Sequence, residues 1–124
     1  MLADSYGNKN STNSVDAIAS YNQGVHQFLG AEPGVEASFR AAISADPNFT
    51  LGHIGLAREM GLRGRSDDVK QSLNTAFETS QNLSAREQSH LNVSSLLLRG
   101  KSAEARAAVY EHVKEWPRDV LIAQ

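Results

Sequence analysis

Residues 99–119, RGKSAEARAAVYEHVKEWPRD, hold a basic turn around Gly100, an alanine-rich helical stretch and a stop at Trp116-Pro117. The same punctuation occurs earlier in residues 29–49, LGAEPGVEASFRAAISADPNF, and in residues 63–83, RGRSDDVKQSLNTAFETSQNL. Gly30, Gly64 and Gly100 lie 34 and 36 residues apart. Five residues after each come Val35, Val69 and Ala105; four further on stand Phe39, Leu73 and Val109; three more reach Ala42, Ala76 and His112. Spacings of i, i+4, i+7 place each set on one helix face. Pro47, Gln81 and Pro117 close the frame, and proline there stops a helix in two of the three cases. A period near 34 residues describes a pair of helices used three times.

Each glycine is preceded by another helical stretch. In the second unit Leu56, Ala57 and Met60 supply its apolar face, with a small residue where helices must approach, and Gly24 stands in or beside that slot in the first. Ser84 and Glu87 form a Ser-X-X-Glu capping box, and Asp67 and Asp68 suit the first turn of a helix. The predicted helices cover residues 14–29, 35–45, 49–62, 66–80, 85–99 and 102–115, with a seventh from Arg118. Loops this short force antiparallel neighbours. No stretch alternates as a strand would, so the fold class is all-α, with one helical repeat domain over 14–124. Residues 1–13 are polar and expected to be extended or disordered unless they dock along the first helix pair.

Composition narrows the function. The 124 residues, 40% apolar, suit one domain with a continuous core. Net charge is −2 and pI about 6.0, split as three basic and six acidic residues in 1–62 against nine and eight in 63–124. Such a balance argues against a nucleic-acid partner. Cysteine is absent, which excludes disulfides, thiolate metal sites and thiol catalysis. No apolar run approaches a membrane span, and the polar start MLADSYGNKNSTNS has no signal-peptide core. The expected location is cytoplasmic, so the Asn-X-Ser/Thr triplets at Asn10, Asn48, Asn82 and Asn92 are read as coincidental.

The glycine, small, aromatic, alanine and proline positions over residues 15–117 resemble the tetratricopeptide repeat (TPR). More narrowly, DSYGNKNSTNSVDAIASYNQGVHQFL, AAISADPNFTLGH and EWPRDVL resemble the N-terminal part of tetratricopeptide repeat protein 38-like proteins. The resemblance implies a helix-hairpin solenoid of about three repeats plus the start of a seventh helix, and further helices after Gln124. Ala19, Gln81 and His112 depart from the pattern. Some relatives clamp a C-terminal carboxylate with Lys and Asn side chains; the corresponding positions here hold Ser20, Gly24, Gly55, Glu87 and Leu91, so that clamp is missing.

The resemblance also implies a concave groove made by the first helix of each pair. Its expected peptide-binding residues are Leu51, Ile54, Arg58, Glu87, His90, Ser94 and Leu97. The apolar members would receive a peptide or helix while Arg58 orients a carboxylate; the alternative is that the leucines pack on the next helix. Arg63, Arg65, Arg99 and Lys101 form a basic edge, explained either by an acidic partner or, more simply, by cations at helix C-termini. His26, His53, His90 and His112 carry no His-Glu-X-X-His pattern and are spread over different repeats and faces, so no catalytic residue, metal ligand or cofactor is assigned. His112, in an inward alanine position, reads as a core histidine.

The expected function is a non-catalytic protein- or peptide-binding scaffold. Two alternatives stand beside it. RDVLIAQ, a helix without a second partner, would leave apolar surface for homo-oligomerisation through the C-terminal helix; or the chain is the N-terminal part of a longer TPR-like enzyme.

Overall fold

A computed structural model describes residues 1–123; Gln124 lies outside the described residues. Seven helices follow in order: α1 Val15–Leu29, α2 Val35–Ala45, α3 Thr50–Leu62, α4 Ser66–Glu78, α5 Ala85–Leu98, α6 Ser102–Glu115 and the short α7 Val120–Ala123. The all-α expectation holds, and six of the helices keep the expected bounds to within two residues. Local chemistry explains several starts. Ser14 caps α1 by accepting from the Ala17 amide, and Ser84 and Glu87 complete the expected capping box of α5.

The helices pair as antiparallel hairpins, α1 with α2, α3 with α4 and α5 with α6, and the first helix of each also packs on the first helix of the next. Phe39 of α2 is the wedge of the first two hairpins. It is fully buried, and Gly24 and Gly55 leave room for its ring: a Cβ added at either would lie 2.8 or 2.5 Å from Phe39 Cε1. Tyr21 and Phe49 continue this cluster, their ring centroids 5.1 Å apart. Leu51, Ile54, Ala57, Met60, Leu73 and Ala76 complete an aliphatic core.

Two expectations are corrected. Residues 1–13 are not disordered: β1 Leu2–Ala3 and β2 Lys9–Asn10 pair antiparallel around a turn with Gly7 at φ +83°, Asn10 and Thr12 are buried, and the segment docks on the first helix pair as the exception allowed, with the Ser5 amide on Asn22 Oδ1 and the Thr12 hydroxyl on Asp46. The strands escaped prediction because two-residue strands have no room to show alternation. The turn frame also slips in the first repeat. Gly64 and Gly100 adopt left-handed φ of +70° and +73°, but Gly30 does not; its neighbour Ala31, at +52°, takes that place. The same six-to-one closure recurs all three times, from the amides of Glu32, Arg65 and Lys101 to the carbonyls of Gln27, Met60 and Leu96. Among the described residues no helix is long and apolar enough to cross a membrane.

Candidate functional site

The third hairpin is built differently from the first two. Its interior is polar: Arg86, Glu87, His90, Ser94 and Ser95 of α5 are buried, as is His112 of α6. Three of them, Arg86, His90 and His112, converge on Asp119, just before α7. One oxygen, Asp119 Oδ2, accepts from Arg86 Nη1 at 2.9 Å and lies 2.8 Å from His90 Nδ1 and 2.9 Å from His112 Nε2. Ser89 Oγ holds the other nitrogen of His112 at 2.7 Å, which satisfies both ring nitrogens and fulfils the core-histidine reading. Arg86 also donates to the Lys9 carbonyl and to Asn10 Oδ1, so the same guanidinium ties down the N-terminal segment. Burial alone would raise the carboxyl of Asp119. Attraction to His90, hydrogen bonds from His112 and His90, and the Arg86 charge outweigh it and hold the group well below the ordinary carboxylate range. Burial, reinforced by the Asp119 charge, conversely pushes the Tyr21 hydroxyl far above its ordinary value.

His90, His112 and Asp119 were expected on different faces or not singled out at all, yet their ligand atoms lie within 4.8 Å of one another. This is a ligand set that a divalent ion would accept by residue type. Its chemistry points elsewhere. A metal would have to displace the imidazole protons directed at Asp119 and sit beside a guanidinium that already neutralises the same oxygen. The cavity nearest Asp119 has a volume of only about 10 Å³, too little for a substrate. Sequence reasoning missed Arg86 and Asp119, although Arg86 and His90 stand one helical turn apart.

The expected groove is closed by the chain itself. Leu51 and Ile54 have no exposed surface and belong to the core, so the alternative reading of packed side chains applies. Glu87 is buried too: its carboxylate accepts from the Ser11 amide at 2.8 Å and the Ser11 hydroxyl at 2.6 Å, as well as from Ser84. His90 is engaged by Asp119, and Ser94 is sealed inside. Arg58 remains half-buried, donating from Nη1 to the Leu121 carbonyl at 2.9 Å with its guanidinium 5.4 Å from the Phe28 ring centre. Only Leu97 is an exposed member, at 42%. Leu121 and Ile122 are also buried, which corrects the expectation that the seventh helix would offer apolar surface to a second copy.

What stays open is a cleft beside that groove, with a volume of about 890 Å³, between α3, α4 and the end of α5. Arg58 and Leu97 from the expected groove meet Arg65 and Arg99 from the expected basic edge there, joined by Lys70. Phe28, Leu62, Val69, Leu73 and Leu98 supply its apolar lining. Among the described residues no acidic side chain lines it. Arg65 is bound at 2.6 Å to Asp68 and at 3.2 Å to Glu36. The other basic-edge residues stay outside the cleft: Arg63 pairs with Glu59 at 3.5 Å, and Lys101 is exposed at the start of α6. His53 sits elsewhere, with Nε2 2.8 Å from the Pro47 carbonyl, and exposed His26 lies 3.4 Å from Glu32. No family model matches the chain, and neither does any curated protein or solved structure.

Proposed function

We propose that this chain is a TPR-like helix-hairpin module that binds a protein or peptide in the α3–α4–α5 cleft and performs no catalysis of its own. The observation that carries the reading is the cleft itself: an open, preformed, mostly apolar trough with a few converging polar groups is the usual form of a binding site. Leu62, 74% exposed at its rim, adds apolar surface that a monomer gains nothing by showing to water. The walls stand on helices of two hairpins, so little ordering would be needed on binding. The repeat frame supports the TPR-like reading, as does the packing of α1, α3 and α5 side by side. The sealed polar cluster around Asp119 supports the non-catalytic one, since the cavity that Asp119 lines has a volume of only about 10 Å³.

A random-peptide display library panned on the intact chain tests the proposal, with Leu62→Asp/Leu97→Asp as the comparison. Both substitutions are at exposed positions, so the variant is expected to melt within a few degrees of the parent. Enrichment of a common motif on the parent, lost on the variant, is the expected result. No enrichment, or an identical motif on both, would overturn the assignment to this cleft.

A further inference from the structure

We propose that the cleft takes an acidic peptide segment with apolar anchors, an inference that rests on the binding reading above. Charge complementarity selects this class. Four cations, Arg58, Arg65, Lys70 and Arg99, line the cleft and, among the described residues, no carboxylate does, although the chain as a whole is acidic at −2. Three of the four make contacts within the chain: Arg65 with Asp68 and Glu36, Arg58 with the Leu121 carbonyl, and Arg99 from Nε to the Ser95 carbonyl at 3.4 Å. Lys70 and Arg99 are exposed and make no ion pair among the described residues. They are therefore the cations a ligand would meet, one on α4 and one at the end of α5.

With them in the cleft are apolar positions contributed by separate elements: exposed Leu62 at the end of α3 and Leu97 on α5, above a floor of Val69 and Leu73, one turn apart on α4 and largely buried. Separate apolar positions framed by cations fit side chains spaced along a peptide, with leucine-like anchors between the walls and Asp or Glu directed at Lys70 and Arg99. A nucleic acid would present charge without anchors, and the anionic amphiphiles with a single tail would leave most of the separate positions unmatched.

The test is fluorescence anisotropy with three labelled 14-residue amphipathic peptides that share leucines at i, i+3, i+4 and i+7 and differ in their flanking residues, all Glu, all Gln or all Lys. The Glu peptide is expected to bind about tenfold tighter than the Gln peptide and to weaken as salt rises. Lys70→Glu/Arg99→Glu should lose that preference and favour the Lys peptide, a reversal that a merely misfolded variant would not show. Equal binding of Glu and Gln peptides would sink the acidic assignment and leave the binding reading standing. If none of the three peptides binds, both fail. Binding of dodecanoate with no peptide bound would make the occupant an amphiphile and overturn the proposal.

Discussion

Asp119 shows how much one side chain decides here. It is nearly inaccessible to water, and one of its oxygens joins α5, α6 and, through Arg86, the N-terminal segment. Asp119→Asn leaves the Arg86 charge buried without its counter-ion, and removing one partner of such a pair costs about 3–5 kcal/mol. Urea unfolding at neutral pH is the measurement. The pH dependence has a definite sign. The folded carboxyl is held below its unfolded value of about 3.9, so the unfolded chain takes up the proton first. Its stabilisation is complete above about pH 5, begins to fall once pH drops below the unfolded value and is lost only as pH approaches the much lower folded one, so the gap between parent and variant should start to narrow from pH 6 to pH 3. Added zinc should leave the melting temperature of the parent unchanged, because Arg86 already occupies the electrostatic role a cation would play; a clear rise would show that the two histidines prefer the ion.

Helices and turns carry their own consequences. Gly55→Ala places a methyl group 2.5 Å from the Phe39 ring. Overpacking of this kind costs about 1–3 kcal/mol, partly offset by the helix propensity of alanine, about 1 kcal/mol. A net loss in chemical denaturation is expected, whereas Gly55→Ala combined with Phe39→Leu should recover part of it. Ala31→Gly acts the other way. Alanine at φ +52° holds a left-handed conformation that glycine takes without a Cβ clash, so the substitution should stabilise the α1–α2 turn by about 1 kcal/mol. No gain in the denaturation midpoint would mean that the turn relaxes around the alanine.

The whole molecule has two unlike halves. The first two hairpins share an aromatic and aliphatic core, while the third is joined to them by a polar network and by few large apolar side chains, Leu91 among them. Hydrophobic burial is roughly proportional to area, and the polar network contributes less once desolvation is counted. Native-state hydrogen exchange should therefore show the amides of α6 opening at lower free energy than those of α3. Uniform protection across both would mean that the network around Asp119 couples the halves into one cooperative unit.

The sequence by itself determined the helices, their hairpin order and the capping of α5, because these depend on spacings and residue types within one or two turns of chain. It also marked Arg58, Leu97, Arg65 and Arg99 as surface of interest. Only the tertiary structure decided how they combine. Burial of Leu51, Ile54 and Glu87 depends on what lies over them, and the network that helps close this face draws on residues as far apart as Lys9, Arg86 and Asp119. A helical period says which face points inward but not what covers it. The meeting of His90, His112 and Asp119 was hidden for the same reason: their contact is made across three elements whose relative placement no local pattern encodes.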